Sequence, residues 1–350
     1  MGEGRGEGKT TVPLSDGRSL ITDNRLKTYN GTTYYYDDLG NLIHRELPNG
    51  EVQNYFYDLH DQLVKAEIFK KDGTKETWAY SYDALGRRIG KGRLKNEEVS
   101  DGLEDETGFV WDGSHLLQEV HSDGRYTYIY TDPDSYEPLA QVHNRTNEEG
   151  ESKQETHYFH CDQIGIPREM TDKDGNLLWF GNYTCWGRLK EETNITGTAH
   201  QPFRLQNQYF DAETGLHYNF FRYYDPNSGR FVNQDPIGLE GGENLYAFAP
   251  NAQAWIDPLG LDPFASAIQS GIAQRTGKTF QGAQIFKFTQ KTKIGETTFK
   301  KGDYFYLDNL HKDHYEAFNK CGSSRGVFNM DGSLNPAKTA KAKNRTGPLN

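Results

Sequence analysis

The chain alternates short aromatic runs with turn signals over most of its length. Tyr34-Tyr35-Tyr36 and the run 126–130 are rich in aromatic and β-branched residues, and the longer run has the period-2 alternation of half-buried β-strands. Asn-Gly and Asp-Gly pairs, which favour tight hairpins, separate such runs. They begin at Asn49, Asp72, Asp112, Asp123 and Asp174. The pattern predicts a mostly β chain made of consecutive hairpins.

A Tyr-Asp motif followed by a turn recurs three times, starting at Tyr36, Tyr57 and Tyr82. Its aspartates lie 21 and 25 residues apart, within the period range of stacked repeats. Each unit reads as strand, turn and strand, and a single unit cannot bury its own apolar face. We therefore predict a continuous, curved antiparallel sheet of stacked units.

Composition modifies this picture in two respects. Only 34% of the residues are hydrophobic, but 22 Tyr, 19 Phe and 5 Trp argue against a disordered chain. Neither the first 14 residues nor any later segment has the apolar run of a signal peptide or a membrane span. Export would therefore require a dedicated secretion machine. The three cysteines form no Cys-x-x-Cys pair, which argues against a disulfide framework or a cysteine-based zinc site.

Charge divides the chain at residue 261. Residues 262–350 contain 14 Lys and Arg but only seven Asp and Glu, a net charge of +7. The whole chain carries −11, so the first 261 residues carry −18. A basic segment on an acidic body indicates an electrostatic partner for that segment, and nucleic acid is the commonest one. The alternative is an ordinary lysine-rich solvated face.

The stretch before this division resembles the Rhs (rearrangement hotspot), or YD-repeat, family over residues 30–261. Besides the Tyr-Asp repeats, the resemblance is carried by the stretch from Tyr209 to Asn219, Arg222-Tyr223-Tyr224-Asp225-Pro226, Asp235-Pro236-Ile237-Gly238 and Asp257-Pro258-Leu259-Gly260. It implies a β-shell, partial in this chain, that encloses a C-terminal toxin. It also implies synthesis in a bacterial cytoplasm, export by a system such as type VI secretion with tip or adaptor proteins, and action in the cytoplasm of a target cell.

The resemblance suggests four segments. Residues 1–29 are a flexible or truncated N-terminal segment, 30–195 the repeat sheet, 196–261 the Rhs-associated core, and 262–350 a small α+β toxin domain with a twisted antiparallel sheet. In the last segment we expect a helical stretch from Asp262 to near Gly277, followed by strands and a flexible lysine-rich end. The expected strands are 283–289, 297–300, 304–307, 315–318 and 326–330.

The two Asp-Pro-x-Gly motifs resemble the aspartyl autoprotease of the same family. Two neighbouring carboxylates do not both ionise easily, so one can act as an acid and the other as a base. Carried onto this chain, Asp235 and Asp257 are the catalytic pair, Arg230 tunes a carboxylate, and the cut falls between Leu261 and Asp262. For either motif alone, a simple type I turn is the competing interpretation.

The segment 308–316 concentrates acid and base groups in the basic C-terminal domain. Cleavage of RNA needs a base for the 2′-hydroxyl, an acid for the leaving oxygen and cations for the phosphorane, without a metal or other cofactor. Asp308 would orient His311, and Glu316 would be the catalytic acid or base. Phosphate would be bound by Arg325, Lys338, Lys341, Lys343 and Arg345.

This segment resembles the ribonuclease domain of cloacin and certain colicins in its Tyr304–Asp308 run, His311 and the strand at Gly326. In that pattern an acid follows the histidine by four residues, whereas here Tyr315 stands there and Glu316 comes one later. Asp313 is the alternative acid. The resemblance implies ribosomal or transfer RNA as substrate, with ribosomal RNA favoured, and an acidic immunity protein that neutralises the toxin.

Three other functions remain open from the sequence. His311, His314 and Asp308 could ligate a divalent metal in a nuclease. The chain could be a structural or binding repeat protein whose tail docks on nucleic acid, in which the 308–316 residues are a polar loop without chemistry. It could also be an inactive orphan remnant of a toxin.

Overall fold

The structure is a computed structural model. It describes residues 12–13, 19–97, 102–133, 135–146, 152–238, 244–249, 252, 257–261, 264, 267–268, 271–308, 314–330 and 332–349. The catalytic candidates His311 and Asp313, residue Asp262 on the far side of the predicted cut, and most of the segment 1–29 lie outside these ranges.

The described residues form a mostly β chain of antiparallel sheets, which confirms the predicted fold class. Three short strands come first and form a small sheet. They are β1 (Val12–Pro13), β2 (Ser19–Thr22) and β3 (Arg25–Leu26).

The next fifteen described strands form one sheet in which every strand pairs with its neighbours in sequence. They are β4 (Thr28–Tyr29), β5 (Thr32–Tyr36), β6 (Leu42–Glu46), β7 (Val52–Tyr57), β8 (Leu63–Phe69), β9 (Lys75–Tyr82), β10 (Arg88–Leu94), β11 (Leu103–Asp112), β12 (His115–His121), β13 (Gly124–Tyr130), β14 (Pro138–Thr146), β15 (Ser152–Cys161), β16 (Pro167–Thr171), β17 (Leu177–Tyr183) and β18 (Leu189–Asn194). A short 3-10 turn, Lys95–Glu97, follows β10. Because each connection joins adjacent strands, the long sheet is a meander.

The Tyr-Asp motif has a structural role in this meander. The carboxylate of Asp58 accepts hydrogen bonds from the backbone N–H groups of His60 (2.8 Å) and Gln62 (3.0 Å), which closes the turn. Asp83 does the same in the next repeat. The tyrosines reach the previous repeat, since the Tyr82 hydroxyl donates to the Leu63 carbonyl at 2.7 Å and Tyr57 makes the matching bond one repeat earlier. The aspartate closes the turn of each repeat, and the tyrosine hydrogen-bonds that repeat to the preceding one.

A four-stranded sheet covers the aromatic face of the long sheet. Its strands are β19 (Tyr209–Asp211), β20 (Leu216–Asn219), β21 (Arg222–Asp225) and β22 (Arg230–Phe231). Together the two sheets bury one hydrophobic cluster. It includes Tyr34, Tyr55, Tyr80, Phe109, Tyr128, Phe159 and Trp179 from the long sheet and Tyr209, Leu216, Tyr218 and Tyr223 from the small one.

Buried ion pairs also join these two sheets. Arg88, fully buried on β10, donates to Asp211 at 2.6 Å, and Lys91 reaches the same carboxylate at 3.0 Å and Glu213 at 2.9 Å. Two strands away in the small sheet, Asp225 accepts from the Tyr34 hydroxyl at 3.0 Å. Charges that leave water must be paired, so these contacts define how the small sheet sits on the long one.

The C-terminal region forms a separate five-stranded sheet in the order β23-β24-β27-β28-β29, with a two-stranded ribbon and one helix. These elements are β23 (Ala273–Phe280), β24 (Ala283–Phe288), β25 (Thr292–Ile294), β26 (Thr297–Phe299), β27 (Tyr304–Leu307), β28 (His314–Phe318), β29 (Ser324–Asn329) and α1 (Pro336–Ala342).

The strands expected from residue 283 onward match β24, β26, β27, β28 and β29, but two other expectations for this region were wrong. The segment before Gly277 is not helical throughout, because Ala273–Phe280 pairs with β24 as a strand. The lysine-rich end is not without structure either. Asn335 caps α1 by accepting from the Lys338 backbone N–H at 3.0 Å, and Pro336 occupies the first turn.

One hydrophobic cluster, called here the shared core, extends across the predicted cut after Leu261. Phe264 is fully buried in it and packs against the rings of Phe305 (centroids 4.8 Å apart) and Tyr315 (4.5 Å). The same cluster contains side chains that precede the cut, including Tyr224 and Phe248. Among the described helices, none has the length and apolar character needed to cross a membrane.

We predict that Asp211→Ala lowers the free energy of unfolding by about 3–5 kcal/mol, because it leaves Arg88 buried without its carboxylate. Urea denaturation of the full chain measures this. Asp174, whose carboxylate meets Lys173 on the surface at 2.8 Å, supplies the matched control. Asp174→Ala should leave the unfolding midpoint unchanged within error, and equal losses in the two variants would contradict the role given to the buried network.

Candidate functional site

At each of the two candidate sites predicted from the sequence, side chains lie close together in the described structure. The first, called the aspartate site, consists of Asp235, Asp257 and Arg222. Both carboxylates face one guanidinium, whose Nη2 lies 3.1 Å from Asp235 Oδ2 and 3.7 Å from Asp257 Oδ2. Arg222 belongs to β21 and is 1% exposed, with its guanidinium 3.6 Å from the centre of the Phe231 ring. The structure therefore brings together the two aspartates that the sequence paired.

The backbone around Asp257 presents the residue next to the predicted cut. Asp257 Oδ1 accepts from the backbone N–H of Leu261 at 2.8 Å, while Asp257 Oδ2 is buried and makes no hydrogen bond. Gly260 has φ +72° and donates to the Asp257 carbonyl, closing the turn. A side chain at position 260 would also lie 3.1 Å from the Asn219 carbonyl, so glycine is needed for both conformation and space.

Burial separates the two carboxylates from ordinary aspartates. It raises the pKa of Asp257 to about 7, against the opposing effect of Arg222 and with a further increase from Asp235. Burial raises the pKa of Asp235 as well, and Arg222 again opposes it. A carboxyl group with a pKa near 7, such as that of Asp257, can hold a proton at neutral pH. Asp235 lies closer to Arg222, whose positive charge favours the ionised carboxylate.

Arg230, the arginine expected to tune this pair, lies elsewhere, and this is a correction to the sequence analysis. Its guanidinium donates to the Asn24 carbonyl at 2.5 Å and to Asn244 Oδ1 at 3.3 Å, and it lies over the ring of Tyr246. The two arginines are eight residues apart in the same motif, and the sequence alone gives no reason to prefer Arg222.

The second place, called the basic cleft, lies on one face of the C-terminal sheet and has a volume of about 670 Å³. Its acidic and basic residues are Asp308, His314, Glu316, Lys338, Lys341 and Arg345. β27 and β28 position the first three. Tyr306 pairs with Glu316 across the hairpin, and the Asp308 backbone N–H donates to the His314 carbonyl at 2.9 Å. The cap and proline of α1 place Lys338 and Lys341 on the facing side.

Glu316 is the anchor of the basic cleft. It is 2% exposed and accepts a hydrogen bond from the Tyr306 hydroxyl at 2.8 Å and another from Arg345. Burial, reinforced by the Glu316 carboxylate, raises the pKa of Tyr306, so its hydroxyl remains a donor. His314 Nδ1 lies 3.3 Å from Lys338 Nζ, so the imidazole and the ammonium group are in contact.

The predicted phosphate-binding residues separate into two groups. Lys338, Lys341 and Arg345 line the basic cleft with Glu316. Arg325 does not, because its Nη2 donates to the Thr298 carbonyl at 2.5 Å and its guanidinium lies near the Phe299 ring of the shared core. Lys343 is exposed at the C-terminal end of α1 and is not part of the lining.

A metal at the basic cleft fits some of its features. Ligand atoms of Asp308, His314 and Glu316 lie within 4.8 Å of one another, which a divalent cation could bridge. However, the positive charges of Lys338, Lys341 and Arg345 surround the cluster. This positive charge favours the binding of an anion such as a phosphate over the binding of a metal cation. The sequence indicated His314 only as a possible metal ligand and did not predict its place in the cleft.

Part of the chain is similar to a known protein family. Residues 156–193 match the family described as RHS protein. The chain is 40% identical over 256 residues to the double-stranded DNA deaminase toxin A of Burkholderia cenocepacia, covering 70% of this chain and 18% of that protein. It is 27% identical over 379 aligned positions to the tRNA3(Ser)-specific nuclease WapA of Bacillus spizizenii, and the alignment covers 99% of this chain and 15% of that protein.

Among solved structures, the Tc holotoxin pore of Photorhabdus luminescens aligns with a TM-score of 0.45 and 19% identity, over 65% of this chain and 13% of that one. The chain thus spans less than a fifth of the length of each of these three proteins.

We predict a pH-dependent stability that originates at Asp257. Its folded-state pKa of about 7 lies above that of an unfolded aspartate, so the folded chain holds a proton that the unfolded chain releases. Stability should therefore fall by up to about 1.4 kcal/mol per pH unit between about pH 4 and pH 7. Urea midpoints of Asp235→Asn, which keeps Asp257, should show this slope, and Asp257→Asn should reduce it. Equal slopes in the two variants would contradict the assignment.

Proposed function

We propose that the chain carries an Rhs region of the polymorphic-toxin type and that its C-terminal domain is a metal-independent ribonuclease released by aspartyl self-cleavage after Leu261. The observation that carries the ribonuclease proposal is the basic cleft, in which a buried carboxylate and an imidazole stand beside three cationic side chains. Acid, base and phosphate-binding groups are the set that cleavage of an RNA strand requires.

Each group in the basic cleft has a role in this chemistry. Glu316 takes the proton of the ribose 2′-hydroxyl, whose oxygen then attacks the adjacent phosphorus. His314, or His311 outside the described residues, gives a proton to the departing 5′-oxygen. Lys341 and Arg345 neutralise the charge that develops on the phosphorane oxygens. Tyr306 and Lys338 hold Glu316 and His314 in place.

RNA is the preferred substrate for two reasons. Attack by a 2′-hydroxyl needs no metal, and the cations around Glu316 already supply the charge that a metal would supply. The alignment with a nuclease named as specific for a transfer RNA covers nearly all of this chain, including its C-terminal domain. Ribosomal and transfer RNA are the candidate substrates. The cluster of Asp308, His314 and Glu316 supports a metal-dependent nuclease as the second candidate.

Self-cleavage rests on the aspartate site. Asp235, closer to Arg222, is the base that removes a proton from a water molecule, whose oxygen bonds to the carbonyl carbon of Leu261. Asp257, with its pKa of about 7, is the acid. It gives its proton to the nitrogen of Asp262 as the bond between Leu261 and Asp262 breaks. The hydrogen bond from the Leu261 N–H to Asp257 holds the chain beside the acid.

A toxin of this type would act together with two kinds of partner. A toxin of this type requires an immunity protein in the cell that makes it, and an acidic protein would complement the +7 charge of residues 262–350. A dedicated secretion system with tip or adaptor proteins, such as type VI secretion, would deliver the chain into a target-cell cytoplasm.

Self-cleavage predicts two fragments on a denaturing gel of the purified chain, divided after Leu261. Asp235→Asn and Asp257→Asn should each give one band near 39.9 kDa, because each variant lacks one of the two proton-transfer groups. Arg230→Gln is the control for a nearby arginine and should be cut like the native chain. A single uncut band from correctly folded native protein would refute the proposal.

Ribonuclease activity predicts cleavage of total bacterial RNA by the purified full chain in the presence of EDTA. Glu316→Gln and His314→Ala should lower the rate by about 10²–10⁴-fold, the usual effect of losing a general acid or base. If His311 is the acid, His311→Ala shows that loss in place of His314→Ala. The lengths of the products distinguish ribosomal from transfer RNA.

The matched controls for this assay lie at one end of α1. Lys341→Gln should lower the rate about tenfold, since a charged contact to phosphate is lost. Lys343→Gln, which lies outside the basic cleft, should leave the rate unchanged within error. Loss of activity in EDTA would favour the metal-dependent nuclease, and cleavage of DNA alone would exclude RNA as the substrate. A folded chain without activity would favour the binding protein or the remnant.

A further inference from the structure

A third cluster of titratable groups lies outside both sites, between the long sheet and the loop that enters the small sheet. Glu119 and His121 are two residues apart on β12, so their side chains share one face of the sheet. His200 reaches them from the segment between β18 and β19, 81 residues after Glu119 in sequence. Neither the proposed cut nor the basic cleft uses any of these three groups.

The distances within this cluster fit one metal ion. His200 Nε2 lies 3.2 Å and 3.1 Å from the two oxygens of Glu119, and His121 Nε2 lies 3.4 Å from Glu119 Oε2. One ligand atom from each residue lies within 4.8 Å of the other two. Ligands about 2.0–2.1 Å from a tetrahedral zinc ion are ~3.4 Å apart, so a small inward movement of the imidazoles would complete the geometry.

An independent observation is the state of His121. Its Nε2 atom is buried and makes no hydrogen bond, although it points at the carboxylate of Glu119. The other ring nitrogen, Nδ1, lies 3.4 Å from the Thr107 hydroxyl. If Nδ1 carries the proton toward Thr107, Nε2 presents its lone pair to the cluster. A hydrogen-bonded Nδ1 and a bare Nε2 are the arrangement of a metal-ligating histidine.

Supporting contacts fix the carboxylate as well. Glu119 is fully buried and accepts hydrogen bonds from the hydroxyls of Tyr128 and Tyr209, the latter at 2.9 Å. These contacts set the orientation of the Glu119 carboxylate from a neighbouring strand and from the small sheet.

The surroundings of the cluster favour a cation. It borders a cleft of about 970 Å³ that also contains Glu51, Glu76, Asp105, Glu106, Asp123 and Glu213. Two lysines, Lys70 and Lys91, line the same cleft, and both are paired with carboxylates. This acidic setting is the opposite of the basic cleft, and it leaves room for a water molecule as a fourth ligand.

We propose that Glu119, His121 and His200 form a zinc site that fastens the loop at residue 200 to β12. Two imidazoles and one carboxylate are a ligand set that zinc accepts, with the fourth position open to the cleft. Bound zinc would stabilise the folded chain, because the three ligands are brought together only by folding.

The test is zinc binding by the full chain after removal of metal with a chelator. Calorimetry should show one equivalent of Zn²⁺ bound, and Co²⁺ should give the visible absorption of a tetrahedral site. Zinc should also raise the thermal unfolding midpoint. His121→Ala removes a ligand but no hydrogen bond of Nε2, so it should keep the fold and weaken zinc binding at least tenfold. His200→Ala should weaken it similarly.

Two control variants complete the test. His160→Ala removes an exposed histidine of β15 and should bind zinc like the native chain. His314→Ala removes the histidine of the basic cleft and should also leave the affinity unchanged. Absence of stoichiometric binding, or native affinity in His121→Ala, would overturn the proposal. Loss of binding in His314→Ala alone would place the metal in the basic cleft and overturn it as well.

Discussion

The structure depends on the covering of one aromatic sheet face by a small charged sheet. A meander of fifteen described strands presents Tyr34, Tyr80, Phe109 and Tyr128 on one side, and no strand of the meander can bury them. The four-stranded sheet does so, and the pairing of Arg88 and Lys91 with Asp211 determines its position. Apolar burial supplies most of the stabilisation, whereas the buried charges make other positions of the cover unfavourable because they would leave ions unpaired.

The same small sheet determines the geometry of the aspartate site. Arg222 lies on β21, three residues before Asp225, whose side chain accepts from Tyr34 on the long sheet. The strand is therefore held on both sides when its arginine meets Asp235 and Asp257. A guanidinium fixed in this way can face two carboxylates, and burial can then raise the pKa of Asp257 to about 7. The proposed chemistry depends on the packing of the cover on the meander.

Local patterns predicted much of this structure. Short apolar and aromatic runs bounded by turn signals located β24, β27 and β28 closely, because both features are contained within a few residues of each strand. The Tyr-Asp repeats predicted the meander, since their turn chemistry is contained within a few residues. Gly277 misled the prediction for β23. Ala273–Phe280 is a strand because β24 offers it an edge, a tertiary effect that local propensity does not contain.

The sites were less predictable because their members meet only in three dimensions. The repeated Asp-Pro-x-Gly motif marked Asp235 and Asp257 in the sequence. The choice between Arg222 and Arg230, however, depends on which arginine lies between the turns of these two motifs in the folded chain. His314 joins Lys338 across 24 residues, and Glu119 joins His200 across 81. Nothing in the spacing of these residues indicates their contact, whereas Glu316, on a recognisable strand beside a polar segment, could be selected from sequence.

The shared core has a consequence for the proposed release of the C-terminal domain. Phe264 lies just beyond the proposed cut, and its ring is buried in a cluster that also contains Tyr224 and Phe248 from before it. A cut after Leu261 would turn these contacts from intramolecular into bimolecular ones without removing any of them. The severed domain would behave as a tightly bound subunit whose departure depends on dilution or on forced unfolding, so bond cleavage and liberation would be separate events with separate rates.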